Sequence, residues 1–294
     1  MKGEKTKMVR TLLSVGLCVF LMSCSAIRKL GINSMAPTLN EVVGVGYKQT
    51  DIQFMKLALP ANLVMIEGML EMSPNNMVLL NILAQGYCGY ALGFVEDDDP
   101  EWAKVLYIKG RDFAIRALKT NKKFRKALES GERFEDAVSK INDEDYVPSL
   151  FWAGNCWGAW LNLSLTDPKA LFDIPKVLAL MKKVLELNDK FYYGGAHLFM
   201  ATYYAGLPPM AGGGVDKAIP EFEEVFKISE NKFLLAHVFY AKYYAALIKD
   251  EELFDKTIDY VLNFDISKAP ELALVNTISK EKAKRLKAEK ERYF

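Results

Sequence analysis

The hydrophobic and polar positions of this chain predict two kinds of helix that follow one another in turn. The amphipathic kind has an ordinary polar face: Ala218, Phe222 and Val225 fall at i, i+4 and i+7, with glutamates between them. The other kind carries almost no charge and covers residues 77–95, 150–165, 192–205 and 233–248. A helix that is apolar on every side is either enclosed in a core or lines a dry surface. The pattern predicts an all-α protein with the uncharged helices inside.

Residues 177–247 contain the same helical unit twice. An amphipathic helix, a polar turn and an uncharged helix ending in "MATYYAG" are followed by the same order ending in "YAKYYAAL". Asp189 and Glu230 hold the equivalent turn position, 41 residues apart in the numbering. Self-similarity at such a period is typical of helix-pair solenoids, of which the tetratricopeptide unit has about 34 residues. We therefore expect a tetratricopeptide-like helix-pair solenoid, an α-α superhelix, over residues 51–294.

The flanking segments predict further helices with interruptions between them. Asp51 is placed to cap a helix that Pro60 ends, and Pro60 then opens another. Asp99 and Pro100 suit an N-cap and a first helical position. Residues 122–147 are densely charged and predict an insertion between repeats. The final "SKEKAKRLKAEKERYF" has too few apolar residues for burial, which favours a solvated helix over one that contacts a membrane surface.

The first residues have the organisation of a secretion signal. A basic segment comes first, at Lys2, Lys5, Lys7 and Arg10. The apolar "TLLSVGLCVFL" that follows is too short to span a bilayer as a mature helix. The last leucine of that segment begins "LMSC", which ends at Cys24 and resembles the lipobox of bacterial lipoproteins, in which a peptidase cuts before the cysteine and its thiol carries a diacylglycerol. The alternative is an ordinary secretory signal whose cleavage site happens to precede a cysteine.

We therefore expect residues 1–23 to be a signal peptide, Cys24 to be the lipid attachment site, and residues 24–50 to be the lipidated cysteine and its tether. One acyl chain anchors a protein only marginally, so a multiply acylated cysteine is the physically sufficient form. Ser25 in place of an aspartate resembles lipoproteins sent to an outer membrane. The expected location is the periplasm, with the acyl lipid on Cys24 as the bound group and no other cofactor.

Composition narrows the classes of partner. Hydrophobic residues make up 51% of the chain, which excludes a disordered protein. The 38 basic and 37 acidic residues balance, so no basic excess indicates nucleic acid. Cys88 and Cys156 each lie in an apolar helix, and we expect two buried thiols there rather than a disulfide.

Aromatic residues on the uncharged helices are the candidates for contact with a ligand. They share large apolar surfaces, and the tyrosines add hydroxyls that need partners when buried. The candidates are Trp152, Trp157, Trp160, Tyr192, Tyr193, Tyr203 and Tyr204. Core packing is the default explanation of such a stripe, and ligand lining is the alternative, because apolar ligand pockets are built from the same residue types as cores. Both interpretations stay open at this point.

The sequence shows no arrangement of catalytic residues and none of metal ligands. His197 and His237 hold nearly matching repeat positions, but no cysteine or carboxylate joins them at metal spacing. Glu67 and Glu96 are isolated acids near apolar helices, without an evident partner for acid–base chemistry. The run "EDDD" at 96–99 suits helix capping better than calcium binding. We predict a protein that is not an enzyme.

Several segments together resemble the TatT component family, tetratricopeptide lipoproteins associated with TRAP transporters. They are the lipobox, "GYCGYALGFVEDDDPEWAKVLYIKGRDFAIRAL", "LFWAGNCWGAWLNLSL", "FYYGGAHLFMATYYAGLPPMAGGGVDKAIPEF" and "KFLLAHVFYAKYY". The resemblance implies a lipid-anchored periplasmic solenoid that partners the solute-binding subunit of a TRAP system. It also implies self-association and the binding or relay of an apolar solute. The charged segment at 122–147 departs from the family pattern.

Three hypotheses follow for function. The preferred one is an acyl-anchored accessory lipoprotein that holds a solute-binding partner and helps to capture an apolar, organic acid-like solute. The second is a generic tetratricopeptide scaffold for envelope assembly with a filled core and no ligand. The third is an enzyme acting on the cell wall, which would need Glu67 or Glu96 as a buried acid in a cleft.

Overall fold

A computed structural model describes residues 27–294, and every regular element in that part of the chain is a helix. The predicted signal peptide and lipid attachment site, residues 1–23 and Cys24, lie outside the described residues. The helices are α1 (27–47), α2 (Ile52–Met72), α3 (Met77–Tyr90), α4 (Pro100–Leu118), α5 (Lys122–Glu129), α6 (Phe134–Ser139), α7 (Val147–Asn162), α8 (Pro168–Leu171), α9 (Ile174–Asn188), α10 (Phe191–Ala205), α11 (Val215–Ile228), α12 (Leu234–Phe239), α13 (Glu251–Asn263) and α14 (Ala273–Ala288). Two of them continue as π-helical turns, α3 at Ala91–Val95 and α12 at Tyr240–Ala245. The all-α prediction is confirmed for this part of the chain.

Two helix starts follow the predicted capping chemistry. The Asp51 side chain accepts a hydrogen bond from the backbone N–H of Phe54 at 2.9 Å. The Asp99 side chain accepts one from the backbone N–H of Trp102 at 3.0 Å, with Pro100 at the first position of α4. In each case a carboxylate satisfies one of the free N–H groups of the first turn.

The predicted break at Pro60 is wrong, because α2 runs without interruption from Ile52 to Met72. Proline removes one N–H donor from the ladder but does not forbid a helix when tertiary packing holds both sides of it. Here Met55 before the proline and Leu63, Ile66 and Leu70 after it are all buried. The two halves therefore share one buried face, which stabilises a continuous helix.

The segment expected to be a tether forms α1 instead. Ile32 and Ala36 are buried, and Leu39 and Val43 pack against the same core. These four residues fall at i, i+4, i+7 and i+11, which is a helical period that the glycines of the segment obscure. The helical domain therefore includes residues on both sides of position 51.

The charged segment at 122–147 is part of the core rather than a simple insertion. It forms α5, α6 and a short 3₁₀ turn, and α6 packs against α9. Phe124 is fully buried and meets the ring of Phe134, which in turn meets Trp157, both edge to face. Sparse apolar side chains at the buried positions are sufficient to dock two short helices.

The last helix, α14, is also packed rather than solvated. Ser279, Ala283 and Leu286 continue the buried face that begins in its apolar first half. Lys282 forms an ion pair with Asp97 at 2.7 Å. Arg285 pairs with Asp98 at 2.7 Å. The acidic run after α3 therefore caps α4 through Asp99 and binds α14 through the two aspartates before it.

Most helices pack against their neighbours along the chain, and α4 also packs against α7. α4 contacts α3 and α7, α9 contacts α7 and α10, α11 contacts α10, and α13 contacts α12 and α14. The turn residues Asp189 and Glu230 lie between α9 and α10 and between α11 and α12, as the repeat predicts. The winding of these pairs into a tetratricopeptide superhelix stays a prediction.

His237 on α12 makes the stability of the fold depend on pH. Its ring stacks on Phe226 with centroids 4.4 Å apart, and its Nε2 atom has no hydrogen-bond partner within residues 27–294. Burial lowers the pKa of His237 from 6.5 to about 4. The unfolded chain therefore takes up the proton first, and stability is lost as the pH falls from about 6.5 towards 4.

His237→Phe should remove that part of the acid sensitivity, because phenylalanine keeps the stacking and cannot be protonated. Two and a half pKa units correspond to about 3 kcal/mol of unfolding free energy. Chemical denaturation at pH 7 and at pH 4.5 measures the loss for both proteins. An equal loss in wild type and variant would show that the histidine has no such role.

Candidate functional site: an apolar cavity

The uncharged helices enclose a cavity of about 1170 Å³. Its wall consists mainly of residues from α1, α2, α3, α7, α10, α12 and the first half of α14, with further residues from α4 and α9. Representative apolar lining residues are Ile66, Ile82, Phe151, Leu198, Phe239 and Ile278. Ligand pockets commonly measure about 300–1,000 Å³, so this one has room for a long molecule. The uncharged helices therefore leave an apolar space between them and do not fill the interior completely.

Four of the seven candidate aromatic residues line this cavity, namely Trp152, Tyr192, Tyr193 and Tyr203. The other three are not among its lining residues. Trp157 points to the opposite side of α7, where its Nε1 donates to Asp173 at 3.1 Å. Trp160 packs against the hydrophobic core, and Tyr204 lies beneath Lys217, whose Nζ is 5.8 Å from its ring centroid. The structure thus divides the seven candidates into four that line the cavity and three that make other contacts.

A left-handed turn at the start of α10 places two of these tyrosines. Tyr192, Tyr193 and Gly194 have φ values of 49°, 59° and 76°. For a non-glycine residue this conformation costs roughly 1–2 kcal/mol. The ring of Tyr192 offsets that cost by packing against Trp152 at 4.9 Å and Phe151 at 5.4 Å between centroids. Strain of this kind, held by surrounding contacts, is often found at ligand sites.

The cavity contains an amide cluster, which consists of Asn81, Gln85 and Asn155. Asn81 and Gln85 are one turn apart on α3, and Asn155 faces them from α7. Asn81 Oδ1 accepts a hydrogen bond from Ser149 Oγ at 2.8 Å, and Asn155 Oδ1 accepts one from Cys88 Sγ at 3.1 Å. Within residues 27–294 neither asparagine donates through its NH₂ group to another protein atom. Both groups are therefore available to a ligand.

Burial makes the tyrosine hydroxyls of the cavity harder to ionise. It raises the pKa of Tyr192, with smaller contributions from Cys88 and Tyr193, and Gln85 opposes the rise. Burial likewise raises the pKa of Tyr47 on α1, and the nearby Tyr192 adds to the effect. Tyr47 and Tyr192 both line the cavity.

Exposed apolar side chains stand at one opening of the cavity. Phe54 and Met65 on α2 belong to its lining, yet they are 60% and 56% exposed. Val42 and Val45 on α1 are exposed lining residues in the same way. An apolar rim lets an apolar solute enter without crossing a polar barrier.

The isolated acids considered for catalysis are both engaged in contacts. Glu67 pairs with Lys109 at 2.7 Å and accepts a hydrogen bond from the Tyr87 hydroxyl. Glu96 lines the cavity and accepts one from the Tyr107 hydroxyl. Within the described residues, no group of three histidine, cysteine or acidic side chains could hold a metal ion. Contacts of this kind fix the positions of both acids.

The two cysteines in apolar helices are buried inside the protein. Cys88 and Cys156 are free, buried thiols, and the Cys156 thiol donates to the Ala84 carbonyl at 3.6 Å.

One helix of the described chain, Met77–Val95, is long and apolar enough to cross a membrane by length and composition. More than half of this apolar segment is buried inside the protein, as expected of a core helix.

The fold and the cavity define an all-α protein with a large, mostly apolar interior space and a few amide and hydroxyl groups that converge on it. The chain belongs to the TRAP transporter T-component family, which it matches over residues 48–294. It is also similar to an uncharacterized protein of Treponema pallidum (strain Nichols), with 22% identity over 308 residues that cover 94% of this chain and 95% of the relative. The predicted family is confirmed, and it is a family of transport components.

Proposed function

We propose that this chain is an envelope lipoprotein that binds or relays an apolar solute for a TRAP transporter. It would be attached to a membrane through an acylated Cys24 and would hold the transporter's solute-binding subunit in the periplasm. Membership of the TRAP transporter T-component family supports the link to a transporter. The cavity of about 1170 Å³ among uncharged helices is the observation that supports binding of a solute. Outer-membrane attachment and self-association belong to the same proposal.

The cavity is what favours this function over a scaffold without a ligand. A scaffold needs its uncharged helices to fill one another's grooves, because protein interiors are normally close-packed. Here α3, α7, α10 and α12 instead leave space between them, and α1 and α2 contribute exposed apolar lining residues such as Phe54. Empty apolar space costs stability unless something occupies it.

A binding experiment with the solute-binding subunit of the same transporter tests the proposed partnership. The purified subunit is passed over immobilised protein in detergent, and binding is recorded by surface plasmon resonance. We expect saturable binding with a Kd in the micromolar range, as is common for transient complexes. Absence of binding at high micromolar concentration, with both proteins folded, would contradict the partnership.

The acyl anchor is tested separately with two cysteine variants. Cells that express the wild type, Cys24→Ser or Cys18→Ser are labelled with an alkyne-bearing palmitate. We expect Cys24→Ser to lose the label and to leave the membrane fraction, because the lipobox resemblance places the acylated thiol there. Cys18→Ser, a matched change six residues earlier, should keep the label. Retained labelling of Cys24→Ser would contradict the anchor.

A further inference from the structure

The charged residues that line the cavity are all acidic. The chain has 38 basic residues, yet no lysine, arginine or histidine occurs among the described residues that line the cavity. Three acids do line it. Glu96 is half-buried at the end of the π-helical turn that follows α3, whereas Asp145 and Glu271 are exposed at the cavity edge. The electrostatic environment therefore disfavours anions both at the edge and inside.

An ionised carboxylate would find no counter-charge within this wall. Lys242, a half-buried lysine of the π-helical turn after α12, lies over the ring of Tyr243 with Nζ 5.2 Å from the centroid and is not a lining residue. Removing an unpaired carboxylate from water carries a heavy penalty unless a cation or several hydrogen bonds replace its solvation. The organic acid expected from the sequence does not fit these surroundings.

A cation is not favoured either. Glu96 is the one acid placed inside the cavity, and its carboxylate already accepts a hydrogen bond from Tyr107. The other two acids are exposed to water, where screening weakens their attraction for a charged group. The inner wall consequently offers no strong site for a charged head of either sign.

The amide cluster suits an uncharged oxygen. Asn81 and Asn155 have their Oδ1 atoms occupied by Ser149 and Cys88, so their free groups are N–H donors. Gln85 lies between them, next to the hydroxyl of Tyr192. Neutral donors of this kind pair with a hydroxyl or carbonyl oxygen without either partner having to lose a charge.

We infer that the solute is an uncharged amphiphile with a long apolar body and a hydroxyl or carbonyl oxygen, bound with that oxygen at the amide cluster. The inference rests on the proposed function, since it names the class of solute for the same cavity. It replaces the organic acid of the sequence-based expectation. The size of the cavity suits a chain or ring system larger than the usual small metabolite.

Displacement of the neutral dye Nile red tests the inference on the full chain. Three competitors share one twelve-carbon chain and differ only in the head: dodecanol, dodecanoate and dodecylamine, all at pH 8. We expect dodecanol to compete about tenfold or more better than either charged analogue, because only its head needs no counter-ion. Asn155→Leu should weaken dodecanol about fivefold, the usual effect of one lost hydrogen bond. The exposed Asn263→Leu at the end of α13 is the matched control.

The outcomes separate the two proposals. If dodecanoate or dodecylamine competes as well as dodecanol, the inference about head charge is overturned while the cavity remains a ligand site. If Asn155→Leu leaves dodecanol binding unchanged, the placement of the head at the amide cluster is overturned. If neither Nile red nor any competitor binds the folded protein, the proposed solute function fails and the inference fails with it.

Discussion

Gly89→Leu should weaken binding of an apolar solute by about tenfold or more and leave the fold intact. Gly89 lies on the cavity wall, one turn beyond Gln85 on α3, and a Cβ built there meets no atom within 4 Å. Long side chains on a helix point back towards its N-terminus, so the new leucine would cover the amide cluster. Replacing a glycine inside a helix also gains about 0.5–1 kcal/mol of stability. Nile red titration and thermal unfolding measure the two effects.

Gly68→Leu is the matched control for this change. Gly68 is an exposed residue of α2, a Cβ there also meets nothing within 4 Å, and it is not a lining residue. The two variants therefore share the gain in helix propensity and differ only in their relation to the cavity. Equal solute affinity in both variants would show that ligands do not occupy the space beside Gly89.

The same substitution at Gly110 should lower the stability of the fold strongly, whereas at Gly89 it leaves the fold intact. Gly110 lies where α4 is in close contact with α3 and α7. A Cβ at this position would be 2.9 Å from Cys156 Sγ and 3.0 Å from the carbonyl oxygen of Ala84. The second contact is with backbone, which cannot rotate away, so the three helices must separate. Overpacking of this kind costs about 3 kcal/mol.

Thermal unfolding measures the cost of Gly110→Leu. We expect a fall of about 10 °C in Tm, or insoluble protein, with Gly68→Leu again as the control. Gly110→Ala should give a smaller fall, because one methyl group displaces the neighbours less and gains helix propensity. A Tm for Gly110→Leu equal to that of wild type would contradict the tight contact among α3, α4 and α7.

The sequence predicted the helices well where apolar periodicity is strong or capping chemistry is local. The uncharged helices and the caps Asp51 and Asp99 were all predicted from neighbouring residues. The errors occurred where tertiary packing decides the outcome. Pro60 remains inside α2, and α14 packs through a few small residues, because distant partners supply the buried contacts. Propensity and composition carry no information about such partners.

The cavity could be predicted only in part. The tryptophan and tyrosine pattern identified Trp152, Tyr192, Tyr193 and Tyr203, but the same pattern on α7 and α10 included three residues that do not line the cavity. Which side of a helix faces the cavity depends on the helices that pack against it, and these are known only from the fold. Asn81, Gln85 and Asn155 gave a weak signal, as amides in otherwise apolar helices, but their convergence depends on how α3 and α7 pack.

The contribution of α1 was missed for a similar reason. Its buried residues keep a helical period, yet Gly31, Gly44 and Gly46 lower the intrinsic helix propensity of the segment. Packing against the core overrides that weakness and brings Tyr47 to the cavity.

Native mass spectrometry of the protein purified from its envelope in mild detergent tests the central claim most directly, namely that the uncharged helices hold an apolar solute. The account predicts that the wild-type protein carries an additional uncharged molecule that is released on unfolding, and that Gly89→Leu lacks it while Gly68→Leu retains it. Wild-type protein without any bound molecule, or with the same adduct in all three proteins, would contradict the claim.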